Sequence, residues 1–232
     1  MKKLLSLTSV MVSVMFMTPM MAQALTMTLD NYTITGRNFN LYENGTLKGS
    51  GDVTADMNVV LRDDKGQIVK NGTSNYFSAY CVDPYQSIWN GVTLTTSVRP
   101  DSFNNGAGLK AAWLFENFYN TTASALERAG LQLALWEVVR EVGTTYSLAT
   151  GSFTISGDYT ARSWANRYLT SLMTNFSAGN LNSNYLIFTG ANNQDLIVKT
   201  GDLTGNPVPE PTTMLLLGLG LLGLVGFAKK NK

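Results

Sequence analysis

The chain has 232 residues, a formal net charge of +1, one cysteine and no histidine. Without histidine, Ser-His-Asp and Cys-His catalytic arrangements are excluded, and zinc sites lose their commonest ligand. A single cysteine forms neither an internal disulfide nor a thiolate cluster, and no basic patch indicates nucleic-acid binding. We therefore expect a weakly charged protein without a cofactor and without a nucleic-acid partner.

Residues 1–24 have the three-part pattern of a secretory signal peptide. Lys2 and Lys3 precede a short apolar run, which ends in a small-x-small cleavage pattern at Ala24. We expect export, with a mature chain that begins near Leu25. The alternative is an uncleaved membrane anchor, but the apolar run is short and a proline interrupts it.

The next stretch, up to residue 98, has strand-like patterns. The candidate strands are rich in threonine and β-branched residues, which suit a pleated surface, and they cover 25–29, 52–62 and 92–98. Turn signals separate these runs at Asn44-Gly45, Asp63-Asp64-Lys65-Gly66 and Asn71-Gly72. Cys81 ends another short strand-like run, SAYC, which is followed by Val82 and Asp83.

The middle of the chain changes to a helical period. Helices are predicted at 109–119, 124–143 and 160–174, and strand signals return at 185–188 and 195–199. Ser124 and Glu127 form a capping-box pattern at the start of the second helix, and Gly143 is its expected C-cap. Strands, then helices, then strands predict an α+β fold. We expect a sheet or barrel-like domain over 25–200, interrupted by a helical layer and flanked by the signal peptide and a short C-terminal transmembrane helix.

The second helix contains an uncharged amide, Gln132, within an otherwise apolar run. Apolar residues cover both sides of this helix, including Leu133 and Trp136 on one side and Leu135 on the other, so the helix should be buried. Burying a side-chain amide costs on the order of 1–3 kcal/mol unless its hydrogen bonds are satisfied. Gln132 has therefore either found hydrogen-bond partners or serves as a reactive group.

Cys81 and Gln132 together offer one chemistry that needs no histidine. A thiol can attack a glutamine carboxamide and expel ammonia, which leaves an internal thioester, and proximity can supply roughly 7–11 kcal/mol of that barrier. The product must be shielded from water, and Trp136 and Tyr80 are the candidate shielding residues. The alternatives for Cys81 are a small buried hydrophobe and a free thiol that undergoes oxidation or intermolecular disulfide formation.

Two segments resemble the signature segments of the thioester domain of bacterial surface adhesins. Residues 79–83 (AYCVD) resemble its aromatic-Cys-aliphatic-Asp element, and residues 131–138 (LQLALWEV) resemble its Gln-x-Ala-aliphatic-Trp element. Residues 193–197 also resemble that family's final strand. The resemblance implies a thioester between Cys81 and Gln132 that target amines, including lysines, attack to give covalent attachment. The best-known members lie on Gram-positive cell walls, so the target remains open here.

The C-terminal segment resembles a PEP-CTERM sorting tail. A linker at 201–211 contains Pro209, Glu210 and Pro211, and an uncharged apolar block at 212–228 precedes a lysine-rich end. The block is close to the lower limit of about 17 residues for a membrane-spanning helix, and the lysines are expected on the cytoplasmic side. The resemblance implies a temporary inner-membrane anchor over 212–232, which an exosortase of a Gram-negative bacterium recognises and cuts. The alternative is an ordinary C-terminal anchor.

The sequence thus predicts an exported surface or biofilm-matrix protein whose thioester forms one covalent bond with an amine-bearing target. We expect a binding protein and not an enzyme, localised first at the inner membrane and then at the cell surface or in the extracellular matrix. One alternative is a non-covalent exopolysaccharide or matrix structural protein with an inert free cysteine. Another is an enzyme that acts on envelope polysaccharide.

Overall fold

The computed structural model describes residues 25–181 and 184–201, without the side chains of residues 37 and 180. Within this part the strands are β1 (Thr26–Glu43), β2 (Thr46–Arg62), β3 (Phe77–Cys81), β4 (Thr93–Leu94), β5 (Thr96–Val98), β6 (Phe153–Ser156), β7 (Tyr185–Gly190) and β8 (Asn193–Lys199). The helices are α1 (Ala107–Phe118), α2 (Ala125–Arg140) and α3 (Tyr159–Asn175), and short 3-10 turns connect some of them. The predicted α+β fold is confirmed, with the helices inserted between strands.

All eight of these strands belong to one antiparallel sheet. Seven follow the order β4-β1-β2-β3-β8-β7-β5, and β6 pairs with β1 beside this path. The strands at the two ends of the path, β4 and β5, are separated in the chain only by Thr95. The sheet therefore nearly closes into a barrel, and β3 lies inside it between β2 and β8.

The long hairpin of β1 and β2 begins the sheet. Its turn consists of Asn44 and Gly45, both with positive φ (49° and 74°), as a two-residue type I′ turn requires. From Val53 to Leu61, every second residue of β2 is buried, which is the period of two expected for a strand with one face on the core. The Asn-Gly turn prediction is confirmed, but both strands are much longer than the patterns at 25–29 and 52–62 indicated.

Helix α2 is the buried helix that the sequence predicted, since every residue from Ala129 to Val139 is buried. Its capping box is present, because the Ser124 side chain accepts from the Glu127 N–H and the Glu127 carboxylate accepts from the Ser124 N–H. The helix ends at Arg140, however, and the prediction of a C-cap at Gly143 is wrong.

The early end of α2 has a local cause at Glu141. This residue has an extended backbone (φ −66°, ψ 128°), and its carboxylate accepts hydrogen bonds from Gly143 N–H, the Ser152 hydroxyl and Phe153 N–H. These bonds hold the chain in a loop that leads into β6, a strand that the sequence patterns did not indicate. Glu141, and not the expected glycine, is thus the C-cap of the helix, and its carboxylate holds the following loop.

The helices form a layer on the sheet, in which α2 contacts β1, β2 and β3 and also packs against α1 and α3. No helix in the part of the chain described here is long and apolar enough to cross a membrane. The predicted signal peptide with its cleavage residue Ala24, the Pro209-Glu210-Pro211 motif and the predicted anchor at 212–232 lie outside the described residues.

Candidate functional site

Cys81 is the last residue of β3 and is completely buried as a free cysteine. On one side β3 pairs with β8 as far as Cys81, opposite Leu196. On the other side the pairing with β2 ends earlier, at Ala79 opposite Met57. On the β2 side, the peptide groups of Cys81 therefore have no neighbouring strand to pair with.

A bulge in β2 accounts for this gap. Asp56 has φ 60°, and the β1–β2 register shifts between Asn58 and Ala55, so one extra residue lies in β2. Such a bulge bends its strand and interrupts the ladder. Asp56 is the chain neighbour of Met57, which is the last β2 residue paired with β3. The bulge therefore lies where β2 would otherwise continue beside Cys81 and supply its hydrogen-bond partners.

Gln132, 51 positions further along the chain, supplies these partners from α2. Its Oε1 accepts from Cys81 N–H at 3.0 Å, and its Nε2 donates to the Cys81 carbonyl oxygen at 2.6 Å. Gln132 is completely buried, and the two bonds satisfy both ends of its carboxamide. The side-chain amide thus occupies the place of a peptide group from a neighbouring strand, and the structure brings the two predicted site residues together.

The sulfur of Cys81 has two polar neighbours. The thiol donates to the Asp83 carbonyl oxygen at 3.0 Å, and the indole of Trp136 lies near the sulfur without forming a hydrogen bond to it. Burial raises the pKa of the thiol far above its usual range, and the interactions with Trp136 and Asp83 only partly oppose this effect. The free thiol is therefore protonated at neutral pH and is a poor nucleophile towards solutes.

The two predicted shielding residues have different surroundings. Trp136 lies one turn after Gln132 on α2 and is 5% exposed, close to the sulfur. Tyr80 precedes Cys81 in β3, and successive side chains of a strand point to opposite faces. Its ring packs edge-on against Phe115 and Tyr119, with centroids 5.1 and 6.2 Å away. Tyr80 thus fills the contact with α1, and the cover over the sulfur comes from Trp136.

Three polar groups near Cys81 and Trp136 were not selected from the sequence. The Asp83 carbonyl is a backbone group, which no motif analysis selects. Gln194, at the start of β8, is 9% exposed and its Oε1 has no hydrogen-bond partner. Glu137 is completely buried beside Trp136 in α2, and burial raises the pKa of its carboxyl to about 7. A search for polar residues inside apolar runs would have selected Glu137.

In the described part of the chain, the acidic residues and the cysteine do not gather into a metal site. Within residues 25–181 and 184–201, no group of three or more cysteine, aspartate or glutamate side chains could hold an ion.

Comparison with known proteins identifies the C-terminal segment. Residues 207–230 match the PEP-CTERM protein-sorting motif, which includes Pro209, Glu210 and Pro211. The motif implies export and processing by an exosortase, as the sorting-tail prediction stated. No curated protein and no solved structure matches the chain, and no comparison identifies the folded domain as a thioester domain.

Proposed function

We propose that this PEP-CTERM protein, once exported, forms an internal thioester between Cys81 and Gln132 and uses it to bind an amine-bearing target covalently. The sorting motif supports the export route, with the C-terminal segment as a temporary inner-membrane anchor and the cell surface or extracellular matrix as the destination. The observation that carries the proposal is the contact between the carboxamide of Gln132 and the backbone of Cys81, both of which are completely buried.

The hydrogen bonds of Gln132 favour attack on its carbonyl carbon. When the sulfur adds to Cδ, negative charge develops on Oε1, and the Cys81 N–H at 3.0 Å is at the distance required of an oxyanion donor. The carbon–nitrogen bond then breaks, the thiol proton passes overall to the departing nitrogen, and one ammonia leaves. Cys81 would thus supply both the nucleophile and the donor that stabilises the intermediate.

Burial of the sulfur favours persistence of the thioester. A thiol with a raised pKa is a poor leaving group, and Trp136 covers the site, so water reacts slowly. An amine that reaches the carbonyl carbon forms an amide with Gln132, and the sulfur of Cys81 takes up a proton as it leaves. The link forms once per molecule, so the protein binds its target and does not turn over.

A second candidate is a non-covalent matrix protein in which Cys81 is inert. It is favoured by the same two hydrogen bonds, since they satisfy the buried carboxamide of Gln132 without any reaction. In that case Gln132 would only complete the sheet at the end of β3.

Intact mass and thiol titration of the freshly purified exported protein distinguish the two candidates. The thioester predicts a mass deficit of one ammonia in the wild type and no titratable thiol after denaturation at acidic pH. Addition of methylamine should then release one thiol and add one methylamine residue.

The Cys81→Ala and Gln132→Ala variants, processed in the same way, should show no deficit. A wild type of unmodified mass with one titratable thiol would refute the thioester and leave the non-covalent candidate. An activity on envelope polysaccharide that survives Cys81→Ala would instead indicate an enzyme.

A further inference from the structure

Residues 84–88 follow Cys81 closely in the chain and belong to no helix or strand. They line a cleft with a volume of about 340 Å³, and Trp136 lines the same cleft. Trp136 also lies near the sulfur of Cys81, so the cleft leads towards the Cys81–Gln132 pair. Because Cys81 and Gln132 are completely buried, a solute in the cleft reaches them only if the residues around the cleft move.

The backbone of segment 84–88 is weakly attached to the rest of the domain. Among the described residues, its one backbone–backbone hydrogen bond runs from Gln194 N–H to the Ser87 carbonyl oxygen, at 3.4 Å. This distance exceeds the usual range of about 2.7–3.2 Å. Tyr85 N–H donates to Oδ1 of Asp83 at 3.0 Å, but this bond is local and only shapes the turn. Side chains must therefore hold the segment in place.

The side chains of Ile88 and Tyr85 make this attachment, and Ile88 packs on the core. The Tyr85 ring lies edge-on to Phe153 of β6, with centroids 6.3 Å apart, and the Arg140 guanidinium lies over its face, 4.5 Å from the centroid. Nη2 of Arg140 also donates to Oε1 of Glu43 in β1 at 2.6 Å. The ion pair holds the guanidinium in position, and the positive charge attracts the face of the ring.

One face of α2 carries the contacts of the pair and of the segment. Gln132, Trp136 and Arg140 follow one another at a spacing of four residues, which places them on the same face of the helix. Gln132 bonds to the backbone of Cys81, and Trp136 lies near its sulfur. One turn further on, Arg140 contacts Tyr85. The chain after Cys81 thus runs along α2, and the last contact on this face holds the segment beyond the sulfur.

We propose that Tyr85 and Arg140 latch segment 84–88 over the Cys81–Gln132 pair and thereby determine which amines reach the thioester. The selection of amines rests on the proposed function, whereas the latch itself does not. Opening separates the Tyr85 ring from the guanidinium, which stays paired with Glu43. A bulky amine needs a wider opening than a small one, so the latch discriminates between amines by size. Tyr85 and Arg140 are positioning residues, since neither takes part in the bond exchange.

The test compares two primary amines of different size on the full exported protein. Methylamine and cyclohexylmethylamine are supplied at equal concentration of the unprotonated form, and adducts are followed by intact mass. Arg140→Met keeps an unbranched stem and removes the cation. We expect cyclohexylmethylamine to react about tenfold faster with this variant than with the wild type, because the latch opens more easily. The methylamine rate should rise by less, because methylamine needs a narrower opening.

A cation–π contact of the same kind on α3 provides the matched control. The Arg167 guanidinium lies 4.8 Å from the centroid of the Trp164 ring, so Arg167→Met removes an equivalent contact and should keep both wild-type rates. Tyr85→Ala should accelerate the bulky amine as Arg140→Met does. Tyr85→Phe keeps the ring and should restore the wild-type ratio of the two rates. The ammonia deficit of each variant confirms that its site has folded and formed the thioester.

The outcomes separate the latch from the thioester. Unchanged rates in Arg140→Met would overturn the latch, and so would an equal acceleration of both amines that follows the loss of unfolding free energy, because global unfolding does not select by size. A wild type without the ammonia deficit would overturn the proposed function. The latch is then tested on the free thiol of Cys81, with N-methylmaleimide and N-cyclohexylmaleimide in place of the amines. The same variants should show the same pattern, and equal maleimide rates in Arg140→Met and the wild type would overturn the latch.

Discussion

At the residue scale, the buried amide of Gln132 has an energetic explanation that does not depend on any reaction. Its two hydrogen bonds satisfy the N–H and the carbonyl of Cys81, which the bulge at Asp56 deprives of a partner strand. Unsatisfied buried peptide groups cost about as much as a lost hydrogen bond. Gln132 therefore stabilises the end of β3 whether or not a thioester forms.

This role predicts the effect of removing the amide in a protein that cannot form the thioester. Relative to Cys81→Ala, the double variant Cys81→Ala/Gln132→Ala should lose about 2–5 kcal/mol of unfolding free energy, because two buried peptide groups lose their partners and a cavity remains. Urea denaturation measures the difference. Gln67→Ala in the same background is an exposed control and should change stability by less than about 0.5 kcal/mol. A double variant as stable as Cys81→Ala would contradict the role.

The sequence predicted part of this site and for physical reasons missed the rest. Helical spacing predicted that Gln132 is buried, and the two motif-like segments predicted that it lies near Cys81. The bond from the amide to the backbone of Cys81 could not be predicted, since it depends on a bulge created by strand pairing at Asp56. The orientation of Tyr80 follows from strand geometry, and the alternation of β3 could have indicated that it lies away from the sulfur.

At the element scale, close contact between α2 and α3 positions Gln132. A Cβ atom added at Gly130 would lie 2.5 Å from Cβ of Trp164 and 2.9 Å from the carbonyl oxygen of Ala161. The two helix backbones can approach this closely only because residue 130 has no side chain. Gln132 follows two residues later, so the depth of α2 against α3 determines how far its amide reaches.

Gly130→Ala should therefore destabilise the fold although alanine is the better helix former. Alanine gains about 1 kcal/mol of helix propensity, but the overpacking typically costs about 1–3 kcal/mol, so we expect a net loss of up to about 2 kcal/mol in unfolding free energy. Thermal and urea denaturation measure it. Gly179→Ala, where an added Cβ meets nothing within 4 Å, is the matched control and should be nearly neutral. A Gly130→Ala variant more stable than the wild type would show that α3 yields without cost.

The helices and strands were predictable where the hydrophobic pattern of the sequence kept one period along the element. The starts of α1 and α3 lie within two residues of the predicted ones, and the capping box marks the start of α2. The end of α2 was wrong because a side chain, Glu141, replaced a glycine cap. Strand β6 was missed although Phe153 and Ile155 alternate with Thr154 and Ser156, as a strand pattern requires. The full length of β1 was missed because its register shifts interrupt the alternation that a strand pattern requires.

At the scale of the whole molecule, the domain depends on packing, since the chain has a single cysteine. The barrel-like sheet and the helical layer also bury one carboxyl, that of Glu137, whose Oε1 accepts from Ser147 N–H at 2.7 Å while its Oε2 has no partner. Burial raises the pKa of Glu137 to about 7, and Glu141 adds to the rise while the Ser147 N–H opposes it. The folded state therefore holds this proton more tightly than the unfolded chain.

Global stability should accordingly decrease as pH rises. The contribution of Glu137 is fully present below its unfolded pKa of 4.5 and is lost as pH passes through about 7, a change on the order of 3 kcal/mol. Urea denaturation from pH 5 to pH 8 measures this slope, and Glu137→Gln should flatten it. Glu127 is a control of opposite sign, because Ser124 lowers its pKa and its contribution is lost only as pH falls into the acid range. A Glu137→Gln variant with the wild-type slope would contradict the assignment.

The position of β8 determines how the domain would bear a load. This is the last strand of the described residues, and it is hydrogen-bonded to β3 on one side and to β7 on the other. Tension applied to the chain beyond β8, while a target is held at Gln132, would reach the sheet through β8. Both ladders would then resist this tension together, and β3, which ends at the proposed covalent site, would carry part of the load.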